Sequence, residues 1–158
     1  MAPAFVLLLA FLIGVVCGLR ALTAPAVVAC SARLGWINLS RTPLHFMGTS
    51  DSAVIFTVLA ILELGADQLP SAPSRLKPPG LIARIALGAL SGAALVVSGS
   101  RSIAVGAILG AAGGICGAFG GFEVRTRLVK SLKVPDFVIA ILEDAVAIAG
   151  GFFLVSRF

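Results

Sequence analysis

The chain has 158 residues, of which 59% are hydrophobic and 12% charged, and its mean hydropathy is +1.10. Soluble domains carry about 25% charged residues, so the composition excludes an ordinary soluble domain and predicts a single membrane domain over residues 1–158. The net charge of +5 comes from basic residues in the connections. This placement predicts a role in orienting the chain in a lipid bilayer and argues against nucleic-acid binding.

The first apolar segment, at about 4–22, predicts a retained transmembrane helix that ends near Arg20. No Lys or Arg precedes Arg20, so the positive region of a signal peptide is missing. In the connection 23–51, the apolar stretch 24–30 is too short to cross a bilayer, which predicts a re-entrant or interfacial helix. Pro25 lacks a backbone donor and disfavours helix at the residue before it, so we expect a helix break at Thr23–Pro25.

Four further apolar segments follow, and each has a start signal. Thr49-Ser50-Asp51 is a helix cap, Pro78-Pro79-Gly80 is a breaker, and Pro135-Asp136 favours a helix start. The predicted spans are about 52–69, 80–98, 102–122 and 136–156. The sequence therefore predicts an all-α integral membrane protein with about five transmembrane helices and one short extra helix.

An internal repeat relates the two ends of the chain. Ala60-Ile61-Leu62-Glu63 recurs as Ala140-Ile141-Leu142-Glu143, and Cys17-Gly18 recurs as Cys116-Gly117. Equivalent spans are three apart in a five-span chain, so they are expected to run in opposite directions. This indicates an inverted-topology repeat, with repeat 1 at about 4–69, a linking helix at about 80–98 and repeat 2 at about 102–156.

Basic residues predict the orientation of the chain. With five spans, seven Lys and Arg share the face of the N-terminus and five lie on the opposite face. The first group is Arg75, Lys77, Arg84, Arg125, Arg127, Lys130 and Lys133, and the second is Arg20, Arg33, Arg41, Arg101 and Arg157. Because the face with more Lys and Arg is usually cytoplasmic, we expect a cytoplasmic N-terminus.

Acidic side chains inside apolar segments are the main functional candidates, since a carboxylate at membrane depth costs about 2.5–3.5 kcal/mol. Glu63 and Glu143 are predicted as central carboxylates of a proton or cation site, with Asp67 and Asp144 as accessory acids. Carboxylates that lie close together cannot all ionise, so at least one would accept a proton. The alternative is that one or more of the acids pair with buried Arg20, Arg84 or Arg125 and join helices.

Arg20 has two possible positions. It could extend to the membrane interface, as long cationic side chains commonly do, or turn inward beside the break at Thr23 and Pro25 to hold an anionic group. Glu123, next to Arg125 and Arg127, is expected to form an interfacial salt bridge.

Other chemistry finds little support in the sequence. There is no Ser-His-Asp set, HExxH motif, P-loop or dinucleotide fingerprint, so we expect neither an enzyme nor a cofactor or metal site. His45, the only histidine, is expected to be an interfacial residue. Glycines at four-residue spacing, such as Gly106, Gly110 and Gly114, predict close helix packing, and a homo-oligomer is expected as well.

Several longer runs carry a family resemblance. They are Gly18–Pro25 (GLRALTAP), Ala32–Trp36 (ARLGW), Glu63–Arg75 (ELGADQLPSAPSR) and Pro135–Ile148 (PDFVIAILEDAVAI). The chain resembles a bacterial membrane-protein family catalogued as domain of unknown function 4126, and the likeness covers nearly its whole length. The resemblance implies a small multi-pass protein of the bacterial inner membrane and implies no activity.

Two functions remain open from the sequence. The first is a small transporter or channel subunit, proton- or cation-linked, in which Glu63, Glu143, Asp67 and Asp144 line a midplane site and Arg20 supplies a counter-charge. The second is a structural or lipid-interacting membrane protein that moves no solute and whose buried acids pair with arginines.

Overall fold

The computed structural model of the protein describes residues 3–67, 76–99 and 102–158. Within these ranges the chain is helical and contains no strand. The α-helices are α1 (Pro3–Leu19), α2 (Thr23–Arg33), α3 (Ser50–Ala66), α4 (Pro78–Ser98), α5 (Ile103–Leu132) and α6 (Asp136–Val155), and a 3-10 turn covers His45–Gly48. This confirms the predicted all-α class. Residues 68–69 of the second predicted span, and Arg75 and Arg101, lie outside the described residues.

Three helices, α4, α5 and α6, are long and apolar enough to cross a membrane. Ala4–Leu19 of α1 forms a shorter apolar helix. These helices support the assignment to membrane proteins, and the number of five crossings stays a prediction.

Local signals explain where the helices begin and end. The Thr49 side chain accepts a hydrogen bond from the Ser52 amide at 3.2 Å and so caps α3. α5 extends ten residues beyond the predicted limit at 122 and ends at Leu132, because the next residue, Lys133, has a left-handed φ of 52°. The hydropathy falls at Glu123, but no glycine or proline follows before Pro135, so the apolar run underestimates the length of the helix.

Glycines bring α1, α4 and α5 into backbone contact. A Cβ atom added to Gly110 would lie 2.1 Å from the Gly88 carbonyl oxygen, and one added to Gly14 would lie 2.2 Å from the Gly110 oxygen. Only a residue without a side chain permits such an approach. The four-residue glycine spacing therefore serves packing inside a single chain.

The same contacts give the helix directions. Along α1 and α5, Phe11 meets Gly113 and Val15 meets Gly117, so these two helices are parallel. Along α4 and α5, Gly88 meets Gly110 and Gly92 meets Gly106, so α4 runs the opposite way.

The short helix α2 runs back along α3. Leu22 meets Glu63 at one end, Cys30 meets Thr57 further along, and Arg33 donates to Ser50 at the other end. α2 is largely buried, from Thr23 to Ala29 and at Ser31. The predicted short helix therefore exists and is buried against the other helices, and its re-entrant or interfacial position in a membrane stays a prediction.

Because α2 reverses the chain, the start of α1 and the end of α6 lie at one end of the bundle. Val6, Trp36 and Phe158 line one cavity there, whereas α5 ends and α6 begins at the other end. The expectation that the 123–134 connection shares a face with the N-terminus is therefore wrong, because it counted α2 as part of a loop.

The helix directions also bear on the predicted inverted repeat, and its two pairs of copies differ. The Cys17-Gly18 and Cys116-Gly117 copies lie on parallel helices, so they do not relate opposed elements. The two Glu-containing copies lie on α3 and α6, which run in opposite directions: α2 is antiparallel to α3, and Val27 of α2 meets Gly151 of α6 beyond the Arg20–Asp144 contact. An inverted repeat stays a prediction, supported in direction only by the α3–α6 pair.

Candidate functional site

Arg20 lies in the turn that joins α1 to α2, and its side chain is fully buried. Its Nε atom donates to Asp144 of α6, and its Nη1 atom donates to Asp67, the residue that ends α3. Of the two positions considered from the sequence, the structure has the inward one. A single guanidinium therefore joins carboxylates from the two helices that carry the repeated motif.

Glu63 binds the backbone of the same turn. Its Oε1 atom accepts from the Ala21 amide and its Oε2 atom accepts from the Leu22 amide, both at 2.8 Å. Amides at a helix start lack a partner within the helix, and in a membrane each unsatisfied amide is costly. The carboxylate of α3 therefore stabilises the break between α1 and α2.

The observed break differs from the predicted one. The chain leaves the helical path at Arg20–Leu22, whereas Thr23 and Pro25, predicted to form the break, belong to the first turn of α2. A proline in the first helical turn removes an amide that has no helical partner in any case. Pro25 is thus compatible with the start of the helix, and Thr23 is its first residue.

Arg84 of α4 holds the other side of this turn. Its Nε atom donates to the Gly18 oxygen and its Nη1 atom donates to the Gly80 oxygen, both at 3.1 Å. Its Nη2 atom lies 3.9 Å from Glu63 Oε1. Arg84 was predicted only as a possible partner of an acid; its bonds to backbone carbonyls leave no pattern in the sequence.

A second charged cluster lies between α5 and α6. Arg125 Nε donates to Asp136 Oδ1 at 2.9 Å, and Arg125 Nη1 lies 3.5 Å from Glu143 Oε2. Glu63 and Glu143, predicted to share one central site, thus contact different arginines. The accessory acids Asp67 and Asp144 are the two that share one guanidinium, that of Arg20.

The outer acid Glu123 behaves as expected from its position. It pairs with Arg127 one helical turn away, with 2.7 Å between Glu123 Oε1 and Arg127 Nε. The Glu123 side chain is 55% exposed, so this pair is a surface salt bridge of small energetic value.

Acidic side chains lie close together around Arg20. Asp67 and Asp144 both contact its guanidinium, and Glu63 binds the same turn. Carboxylates so near one another resist simultaneous ionisation in a largely buried place, so a bound proton or cation would stabilise them.

Two buried polar atoms at this turn have no hydrogen-bond partner among the residues that the structure describes. They are Arg20 Nη2 and Thr23 Oγ1. Arg20 is 0% and Thr23 is 3% exposed. Buried donors and hydroxyls are nearly always hydrogen-bonded, so each of these atoms needs an acceptor or a donor from another source.

Most of the chain matches a family model. The model of the family described as Domain of unknown function (DUF4126) matches residues 7–156. No curated protein and no solved structure matches the chain.

Proposed function

The chain belongs to the DUF4126 family, and we propose that it works in a membrane as a small proton- or cation-linked transporter or channel subunit. The shared contact of Asp67 and Asp144 with the one guanidinium of Arg20 carries this proposal. In a low-dielectric interior, two carboxylates held so close together favour the reversible binding of a proton or cation. No enzymatic activity and no cofactor is included in the proposal.

The arrangement of the acids suggests how a charge would move. The Asp67 side chain is 27% exposed and the Asp144 side chain is 13% exposed, whereas Arg20 between them is buried. Protonation of one aspartate would weaken its bond to the guanidinium, and the other aspartate would still neutralise Arg20. Asp67 and Asp144 thus become the exchanging acids, with Glu63 holding the turn that positions Arg20.

The charges at one end of the bundle support an orientation for the proposed transporter. Lys77, Arg127, Lys130 and Lys133 lie at or beyond the end where α4 begins and α5 finishes. The positive-inside rule favours a cytoplasmic location for this end in the proposed bacterial inner membrane. The start of α1 and the end of α6 would then face away from the cytoplasm, whereas the five-span count placed the N-terminus in the cytoplasm.

Proton flux into proteoliposomes tests the proposal. Vesicles that contain a trapped pH-sensitive dye are driven by a potassium diffusion potential. Wild-type protein should acidify the lumen faster than protein-free vesicles do. Asp144→Asn keeps an acceptor for Arg20 but cannot ionise, so we expect it to lower the flux on the order of a hundred-fold.

The matched control is Glu123→Gln, which removes an acid from the exposed Glu123–Arg127 pair. This variant should conduct like the wild type. Wild-type flux equal to that of empty vesicles, in proton, Na⁺ and K⁺ gradients alike, would reject the transport proposal.

One observation favours the second candidate function, a protein that moves no solute. Glu63 and Glu143 each lie beside their own arginine, and Glu63 bonds two backbone amides. On that proposal the acids only join helices within the bilayer. The protein would then serve a structural role, and we expect it to assemble into a homo-oligomer. Asp144→Asn would then lower the stability of the protein in detergent, and neither it nor the wild type would move protons.

A further inference from the structure

Near the start of α2, two buried polar atoms lack a hydrogen-bond partner within the described part of the chain. Arg20 Nη2 and Thr23 Oγ1 belong to residues only three positions apart, on either side of Ala21 and Leu22. Both residues are more than nine-tenths buried. A small polar ligand that accepts from Nη2 and bonds the hydroxyl would satisfy both atoms at once.

The geometry of the guanidinium fixes what that ligand would touch. The group is planar, and Nη2 shares one edge with Nε and the other edge with Nη1. Nε donates to Asp144 and Nη1 donates to Asp67. An oxygen bound to Nη2 therefore lies beside Asp144 if it occupies the edge shared with Nε, and beside Asp67 if it occupies the edge shared with Nη1.

The charge of the cluster decides which ligand fits. Asp67 and Asp144 already contact this guanidinium, so a further anion such as phosphate or a carboxylate bound at Nη2 would be repelled by both. A water molecule is neutral, accepts from Nη2 and donates to a carboxylate, and buried waters typically make about three such bonds. The surroundings favour water.

We propose that Arg20 Nη2 and the Thr23 hydroxyl bind an internal water molecule that links Asp67 to Asp144 and passes protons between them. In the transfer, the O–H bond of a protonated Asp67 breaks as its proton moves to the water. The water at the same time gives one of its own protons to Asp144, and no charge is created or lost. The relay rests on the proposed proton-linked function, whereas the water site itself does not.

Thr23→Val is the decisive variant, because it replaces the hydroxyl by a methyl group of similar shape. We expect its proton flux in proteoliposomes to fall about ten-fold, the loss of one effective hydrogen bond. Thr23→Ser retains a hydroxyl and should conduct nearly as well as the wild type. Ser31→Ala is the matched control, because Ser31 Oγ is another buried hydroxyl of α2 without a partner, eight residues away.

A second measurement does not depend on flux. Infrared difference spectra between acidic and alkaline buffer should contain a water O–H band that shifts in oxygen-18 water. The band should persist in Thr23→Ser and Ser31→Ala and disappear in Thr23→Val.

The outcomes separate the two proposals. Normal flux and an unchanged water band in Thr23→Val would overturn the water site and leave the transport function standing. If the wild type carries no protons, the transport function fails, and the infrared band alone decides whether the water is present.

Discussion

Two regions of this bundle are held together by different kinds of contact. Where α1, α4 and α5 meet, glycine backbones touch, and a single added Cβ at Gly110 or Gly113 would lie 2.1 Å from a carbonyl oxygen. Where the end of α1 meets α2, α3 and α6, charged side chains form hydrogen bonds with one another and with an interrupted backbone. The glycine side has almost no freedom to rearrange, whereas each bond on the charged side depends on protonation.

This contrast suggests that the glycine side is rigid and that the charged side can change its bonds. Closely packed backbones transmit any displacement and tolerate little volume change. A charged network can exchange partners while its elements stay in place. Arg20, at the end of α1, belongs to both sides, because Gly18 two residues earlier packs on α5.

The strongest test removes that shared residue. Arg20→Ala would leave the carboxylates of Asp67 and Asp144 without their common partner. Breaking a buried ion pair by deleting one member typically lowers the free energy of unfolding by about 3–5 kcal/mol. Denaturant titration in mixed micelles measures the loss, with Arg127→Ala as control, expected at about 0–1 kcal/mol because that pair is exposed. Equal effects of the two substitutions would contradict the bridge.

A smaller effect is expected from overfilling the glycine side. Gly110→Ala places a methyl group against the Gly88 backbone, which must move, at a cost of about 1–3 kcal/mol of unfolding free energy. Gly120 has nothing within 4 Å of an added Cβ, so Gly120→Ala should leave the stability unchanged or slightly raise it. Thermal unfolding of the two variants in the same detergent provides the comparison, and an equal loss in both would disprove backbone contact between α4 and α5.

The smallest of these effects concerns the turn itself. Glu63→Gln keeps one oxygen acceptor but presents an amino group to the second backbone amide, so one of the two bonds to Ala21 and Leu22 is lost. The expected cost is about 1–2 kcal/mol of unfolding free energy. Hydrogen exchange should show faster exchange at these amides, and Glu123→Gln should show no change. Unaltered protection in Glu63→Gln would mean that the carboxylate does not cap the turn.

The sequence predicted the helical class and most helix starts, because hydropathy and capping residues are local properties. The Thr49 cap and the proline before α6 act on their own immediate neighbours, and both appear in the structure where expected. The length of α5 was underestimated because hydropathy reports the apolar run and not the helix.

The partners of the buried charges were beyond such local reasoning. Acids on α3 and α6 were recognised as candidates, but their pairing depends on how α2 folds back, which no periodicity in an eleven-residue helix predicts. Glu63 bonds amides, and Arg84 bonds carbonyls of Gly18 and Gly80. Nearly every residue type offers the same backbone amide and carbonyl, so the sequence does not show which backbone groups a charged side chain will bind.

The length of α5 has a practical consequence for determining sidedness. Its thirty residues rise about 45 Å, whereas the hydrocarbon layer is about 30 Å thick. Roughly three turns would therefore stand clear of the lipid as a stalk, with Arg127, Lys130 and Lys133 exposed to protease. Trypsin added to sealed vesicles would cut this stalk from one side only, and the cleaved side would identify the compartment that it enters.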